Sequence, residues 1–310
     1  MAVIGFIYTG IGYQYVGIGK EVYDKVYGMR QYYDRVQKKR PEFKINMLAF
    51  LGPKEELMKE DIALPIMYAY QCGIKEVLKQ YKVNPEQMTG FKSGELTGLA
   101  ASEAASFEDI LDLIYKKQDL VEKEIHRDKF INMLVTGVES VKIEQVCAEI
   151  NKVVKCEVCA YAGVDMVMVV CEKTGLSKIK EIFTKMNAIC LELPYEEISN
   201  FSLLKGTAEN LKKALEQIKI DKPLHKLISQ TTGGYYENVR EIKEKFMDYI
   251  YKPARLDVCV STMMKNSVNT FVETGCGAFI TKLIRKIDSG KRLLSTHDIK
   301  TLGQVVKLAN

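Results

Sequence analysis

The sequence lacks tryptophan, contains only three histidines, and has no apolar run that approaches the roughly 18 residues required by a membrane-spanning helix. Its first residues, Met-Ala-Val-Ile-Gly-Phe, also lack the basic start and the small-residue cleavage site of a secretory signal. These absences predict a cytoplasmic protein with no membrane partner.

A strong excess of charge of either sign is also missing. The 45 basic and 40 acidic residues leave a net charge of +5. The lysines are scattered through helical segments and do not form the basic stripe that binds nucleic acid. This distribution predicts no nucleic-acid partner and favours acidic partners only weakly.

Cysteine is present, but its pattern argues against disulfides and metals. The eight cysteines lie mostly inside apolar runs, as reduced thiols used as small hydrophobic residues do. Cys156 and Cys159 have a metal-like spacing, yet no second pair or histidine lies nearby, and alternate positions in a strand face opposite sides. We therefore expect core cysteines, no disulfide, and no metal or other cofactor.

Hydrophobic periodicity predicts alternating strands and helices. Val3 to Tyr8 is almost wholly apolar and is typical of a buried strand, whereas residues 17–37 and 63–81 carry helical spacing. At 310 residues, with 47% hydrophobic and 27% charged, the chain is long enough for one large domain that carries a smaller insert.

The insert is predicted from a change of rhythm after Phe130. The predicted strands and helices follow the order β-α-β-β-α-β over residues 130–137, 142–151, 156–162, 166–172, 176–186 and 189–194. This order is that of a ferredoxin-like unit. We therefore predict a discontinuous large subdomain, residues 1–128 and 195–310, interrupted by a small subdomain, residues 129–194.

A glycine-flanked turn carries the most informative motif. Residues 87–89 are extended, Gly90 to Gly94 reads Gly-Phe-Lys-Ser-Gly, and residues 95–105 favour a closely packed helix. A Gly-x-nucleophile-x-Gly frame lets a strained strand-to-helix turn present its central side chain at a helix N-terminus. The sequence therefore predicts a nucleophile elbow with Lys92 at its centre.

Three further stretches join the elbow in a resemblance that covers nearly the whole chain. The four are an opening strand with its glycine turn, the elbow with its helix, the next helix, and a closing Gly-Cys-Gly stretch, at residues 6–19, 90–101, 106–120 and 270–283. In this order they resemble malonyl-CoA:acyl-carrier-protein transacylases and the related polyketide acyltransferases. The resemblance implies an α/β class, with an α/β-hydrolase-like acyltransferase core built on a parallel sheet and an inserted ferredoxin-like βαββαβ subdomain.

The same resemblance implies that the reacting groups of the family are replaced in this chain. Lys92 stands at the position of the nucleophilic serine, with Phe91 at that of the adjacent histidine, and Asn200 stands at the position of the histidine base. A carboxamide cannot shuttle a proton near neutral pH. The catalytic residues of the standard reaction are therefore not intact.

The substrate-binding positions are changed in part. Ile11 replaces a glutamine of the opening turn, and its amide, with that of Ser93, corresponds to the oxyanion donors. Lys117 replaces the arginine that binds the malonyl carboxylate, and it cannot form the two-bond fork of a guanidinium. Lys117 either neutralises a carboxylate or is a solvated helix lysine.

Two substitutes for the catalytic groups remain to be weighed. An acyl group accepted by Lys92 would form a stable amide, so turnover through that amine is not expected. Ser93 lies one place past the tip and needs a shifted elbow to act as nucleophile. His225 starts a predicted core strand, far along the chain from the position of the base.

These observations leave three functional hypotheses. The first is a transacylase homologue without the standard serine/histidine acyl transfer, acting as a binding or accessory protein in fatty-acid or polyketide synthesis. Its partner would be an acyl carrier protein or a synthase enzyme, or a CoA-type ligand. The second is an active acyl or malonyl transferase, from acyl-CoA to acyl carrier protein, that uses a non-standard nucleophile. The third is a regulatory or structural subunit that pairs with an active paralogue.

Overall fold

The computed structural model describes residues 2–309 as two five-stranded sheets and the helices around them. The strands are β1 (Ile4–Tyr8), β2 (Gln87–Gly90), β3 (Phe130–Thr136), β4 (Cys156–Gly163), β5 (Met166–Glu172), β6 (Ile189–Glu192), β7 (Lys226–Ile228), β8 (Ala254–Arg255), β9 (Thr270–Thr274) and β10 (Arg292–Ser295). The α-helices are α1 (Lys20–Lys25), α2 (Tyr27–Lys39), α3 (Ile45–Leu51), α4 (Glu60–Gln80), α5 (Gly94–Ala101), α6 (Phe107–Glu124), α7 (Ser140–Ile150), α8 (Leu176–Lys185), α9 (Lys205–Glu216), α10 (Val239–Lys245), α11 (Leu256–Lys265), α12 (Phe279–Ile287) and α13 (Ile299–Val306).

The large sheet is wholly parallel, as predicted, with the strand order β10-β9-β1-β2-β7. Its central strand β1 is buried along its whole length, because a strand covered by helices on both faces needs a continuous apolar run. Tyr8 at the end of β1 pairs with Gly90 on one side and Thr274 on the other. The carboxyl ends of the three strands therefore form one edge, where ligands of open parallel sheets bind.

The small sheet contains the predicted βαββαβ unit. Strands β6, β3, β5 and β4 are antiparallel neighbours in that order, and α7 and α8 connect them along the chain. A fifth strand, β8, joins the edge of β4 in parallel, pairing Ala254 with Ala160 and Arg255 with Tyr161. The edge of β4 thus pairs with a strand from outside residues 129–194.

Two hydrophobic clusters hold these layers together. The larger one surrounds the parallel sheet and reaches one face of the small sheet, including Cys159. The smaller one fills the space between the other face and helices α7 and α8, and it includes Cys156. Cys156 and Cys159 thus face opposite sides of β4, and all eight cysteines are free thiols. Within residues 2–309, no group of three potential ligand side chains is arranged to hold a metal ion.

Two helical predictions had different outcomes. The helix over 63–81 is confirmed as part of α4, which begins at Glu60. The segment 17–37 is not one helix, because Val26 adopts an extended backbone, with φ −122°, between α1 and α2. None of the helices in the described part of the chain is both long and apolar enough to cross a bilayer.

Candidate functional site

The predicted elbow joins the end of β2 to the start of α5. Lys92 at its tip has φ +54°, in the left-handed region that side chains rarely adopt. The turn fits only because its flanking residues lack a Cβ: one added at Gly94 would lie 2.0 Å from the main-chain oxygen of Tyr8, and one added at Gly90 would lie 2.1 Å from the nitrogen of Glu95. The sequence therefore retains the strained strand-to-helix turn although its central residue is lysine.

The Lys92 side chain is enclosed, with 2% of its surface exposed. Its Nζ lies 4.0 Å from the Sγ of Cys159 on β4. Gln230 fixes the main chain of the same residue from both sides: its Oε1 accepts from the Lys92 nitrogen at 2.8 Å, and its Nε2 donates to the Lys92 oxygen at 2.7 Å. The elbow tip therefore points into protein and not into solvent.

A carboxylate that the sequence analysis missed occupies the elbow. Glu197, which is fully buried, accepts from the Ser93 nitrogen at 3.2 Å and from the Ser93 Oγ at 3.1 Å. Its Oε1 also accepts from the Ser199 Oγ at 2.8 Å. The Ser93 amide is one of the two expected oxyanion donors, so in this structure the chain itself supplies the anion. The only sequence signal was an unexpected pair of acidic residues, Glu196 and Glu197, after Pro194.

Asn200, at the position of the family base, is buried and holds the main chain. Its Nδ2 donates to the main-chain oxygen of Lys252 at 2.9 Å, and its Oδ1 accepts from the Ser199 Oγ at 3.1 Å. Its backbone is left-handed, with φ +57°. A carboxamide with both ends engaged has a structural role here and no proton to transfer near neutral pH.

Lys117 on α6 lies in a buried ion-pair cluster, and the alternative of a solvated lysine was wrong. Its Nζ lies 2.5 Å from Oε1 of Glu60, and both side chains have 0% exposure. Arg127 approaches the other oxygen of Glu60 at 3.3 Å. The pKa of Glu60 is raised, chiefly by burial and also by the charge of Glu197, against the opposing charges of Lys117 and Arg127. Lys117 therefore pairs with a carboxylate of the chain itself.

Glu95 lies behind the elbow as a second buried acid. It accepts from the nitrogens of Gly90 and Gln230, each at 3.2 Å, and from the Tyr236 hydroxyl at 3.3 Å. Burial raises the pKa of Glu95 to about 8, although these hydrogen bonds oppose the shift. At neutral pH its carboxyl group is therefore mainly protonated.

The remaining predicted site residues are buried around the space at the carboxyl ends of the parallel strands. Ile11 lies in the turn after β1, and Phe91 stacks on Phe279 with ring centroids 6.3 Å apart. Tyr195 covers this turn so closely that a Cβ added at Gly12 would lie 2.6 Å from its ring. The elbow, the turn after β1 and Tyr195 thus enclose the space at the end of the parallel strands.

His225 lies away from this enclosure. It precedes β7, and its pKa is lowered first by burial and then by the charges of Lys75 and Lys79, with Glu103 opposing them. Lys75 and Lys79, both on α4, each form an ion pair with Glu103. The structure therefore does not bring His225 to the elbow.

Comparison with known proteins adds an independent result, although no family model matches the sequence. The malonyl CoA-acyl carrier protein transacylase of Bacillus subtilis is 24% identical over 304 residues, which cover 97% of this chain and 96% of that protein. The counterpart from Haemophilus influenzae is 22% identical over 257 residues, or 82% of each chain.

The solved structures agree in fold. A malonyl-transacylase in complex with its type II polyketide-synthase acyl-carrier protein superposes with a TM-score of 0.93 at 19% identity, covering 99% of this chain and 100% of that one. Over nearly its whole length the chain is therefore similar in sequence to malonyl CoA-acyl carrier protein transacylases, and it shares the fold of their solved structures.

Proposed function

We propose that this protein is a member of the malonyl-CoA:acyl-carrier-protein transacylase family that has lost catalysis and binds an acyl carrier protein or a synthase enzyme. The observation that carries the proposal is the occupation of the acyl site by the chain's own carboxylates. Glu197 accepts from the Ser93 amide, and Glu60 is paired with Lys117. These are the two positions at which the family resemblance implies an oxyanion and a substrate carboxylate.

The energetic cost of substrate entry supports loss of acyl transfer. A malonyl group would have to displace Glu197 or Glu60 and leave that carboxylate buried without its partner. For Glu60, removing one partner of its buried ion pair with Lys117 costs about 3–5 kcal/mol, which corresponds to roughly a hundredfold to several-thousandfold weaker binding. Lys92 and Asn200 add the absence of a hydroxyl nucleophile and of a titrating base.

The partner is proposed from the relatives. One similar transacylase was solved in complex with its acyl-carrier protein, so a family member that has lost its chemistry still has a fold that can present a docking surface. Occupation of the acyl site by Glu60 and Glu197 argues against a CoA-type ligand in that site. A regulatory role beside an active paralogue remains compatible with the same binding function.

An active enzyme is the second candidate, because the Ser93 hydroxyl lies 3.1 Å from the Glu197 carboxylate. A buried carboxylate can accept the proton of a serine nucleophile in principle. Here the same carboxylate also occupies the Ser93 amide, so it would have to serve as base and vacate the oxyanion position at once. The geometry therefore favours the binding protein.

Labelled malonyl-CoA and acyl carrier protein separate the two candidates. The protein is incubated with both, and intact mass and peptide mapping follow any acyl group, with Ser93→Ala as the matched control. We expect no adduct beyond that of the control and no transfer above background, together with measurable binding of the carrier protein by calorimetry. An acyl-serine at Ser93, or transfer that Ser93→Ala abolishes, would sink the non-catalytic assignment.

A further inference from the structure

Two thiols in the small subdomain lie in contact, although their spacing in the sequence does not suggest a pair. Cys147 lies in the last turn of α7 and Cys156 opens β4, nine positions later, with their Sγ atoms 3.7 Å apart. Both are buried free thiols. We propose that Cys147 and Cys156 form a site of reversible oxidation, at which hydrogen peroxide joins them as an intramolecular disulfide.

The backbone around the pair is held in place independently of the thiols. The Asn151 nitrogen donates to the Cys147 oxygen at 2.8 Å, and the Asn151 Oδ1 accepts from the Cys156 nitrogen at 3.3 Å. Asn151 therefore ties the end of α7 to the start of β4. The sulfurs must close from 3.7 Å to about 2 Å, which rotation of the two side chains supplies without moving either element far.

A small oxidant can reach the pair. Both cysteines line a surface pocket of about 210 Å³ together with Glu144, Glu157 and Tyr161. A water molecule takes up roughly 30 Å³ of liquid volume, so a molecule the size of hydrogen peroxide fits in the pocket that the two residues line. The pocket lies on the face of β4 opposite Cys159, is completed by Pro253 from outside the small subdomain, and shares no lining residue with the elbow.

The chemistry balances in two steps. The Cys156 thiol reacts with hydrogen peroxide to give a sulfenic acid and one water, and the Cys147 sulfur then displaces the second water as the S–S bond forms. Two thiols and one peroxide thus give one disulfide and two waters, and the two electrons pass from sulfur to peroxide. The contact with Cys156, together with burial, raises the pKa of Cys147, so oxidation is slow compared with that of an exposed, acidic thiol.

The structure also favours a disulfide between Cys147 and Cys156 over two other possible cysteine pairings. Cys171 pairs with Cys156 across strands β4 and β5, and Cys159 shares the Cys-x-x-Cys spacing. Cys159 faces the other side of the strand, next to Lys92. The Sγ contact at 3.7 Å belongs to Cys147, so the bond forms between helix and strand and not between strands.

The experiment treats the native full-length protein with hydrogen peroxide and maps disulfides by peptide mass spectrometry under non-reducing conditions. We expect two of the eight thiols to be lost, a mass decrease of about 2 Da, and a linked peptide pair containing Cys147 and Cys156. Closing this short loop raises Tm by about 5 °C, and dithiothreitol reverses the rise.

Variants provide the matched controls. Cys147→Ala and Cys156→Ala abolish both the linked peptides and the Tm shift, whereas Cys190→Ala, which removes the more exposed thiol of the same subdomain, preserves them. A disulfide to Cys171 or Cys159 in the native wild type would overturn the proposal. The same holds if thiols are lost only after the protein has been unfolded.

Discussion

The buried Lys117–Glu60 pair allows the sharpest test of how this core is held together. Both side chains are inaccessible to solvent and 2.5 Å apart, and Arg127 adds a second cation to the same carboxylate. Glu60→Gln removes the negative charge and leaves Lys117 buried without a counter-ion. Breaking one side of a buried pair costs about 3–5 kcal/mol, a large fraction of the roughly 5–15 kcal/mol by which a domain is stable.

A double variant tests whether the loss of stability comes from the unpaired charge of Lys117. In the double variant Glu60→Gln/Lys117→Met the unpaired ammonium is gone, while Arg127 keeps its contacts with Asp61 and Glu122. Removing both charges avoids the penalty of leaving one partner of a buried pair charged and unpaired. We therefore expect the double variant to recover most of the free energy of unfolding lost by the single one.

Urea unfolding followed by circular dichroism measures this free energy, since the chain has no tryptophan for fluorescence. Glu181→Gln, which breaks the exposed pair with Lys185, is the control and should leave the midpoint unchanged. A Glu60→Gln midpoint equal to that of the control would refute the buried-pair argument, as would a double variant less stable than the single one.

The other predictions concern the elbow. Glu95 has a pKa of about 8 in the folded state, against an ordinary value of 4.5. Between these pH values the folded protein keeps a proton on Glu95 that the unfolded chain has released. The free energy of unfolding should therefore fall as the pH rises from 4.5 to 8, by up to roughly 5 kcal/mol. Glu95→Gln should flatten that profile in urea titrations at each pH, and an unchanged slope would contradict the assignment. Gly94→Ala places a Cβ 2.0 Å from a main-chain oxygen and should cost roughly 4 kcal/mol or abolish folding, as thermal unfolding would report. The triple variant Lys92→Ser/Asn200→His/Glu197→Val restores a hydroxyl, a base and a free amide, and should acquire malonyl from malonyl-CoA at least about tenfold above wild type by intact mass. Equal labelling in the double variant that retains Glu197 would show that this carboxylate does not block the site.

The elbow and the small subdomain could be predicted because their signals are local. Glycines flank Lys92 within five residues, and the periodicity of the insert changes segment by segment. Glu197 and Glu60 could not be found in this way, since their partners lie 104 and 57 positions away along the chain. Which carboxylate meets which donor depends on tertiary packing and not on periodicity.

The environment of Lys117 also could not be predicted from the sequence. The family resemblance placed it on a helix, but its residue type alone left a solvated lysine and an anion site equally compatible with the sequence. The first turn of α4, which carries Glu60, decides between them by burying both groups. Strand β8 was also missed, because two residues, Ala254 and Arg255, are too few to carry an alternating pattern.

The short strand β8 has a mechanical consequence. Arg255 pairs with the small sheet at Tyr161, and its nitrogen donates to the main-chain oxygen of Gln230, the residue whose side chain holds Lys92. A hinge motion that separated the two sheets would therefore break main-chain hydrogen bonds and pull on the elbow at the same time. We therefore expect that opening a space between the sheets would also displace Lys92.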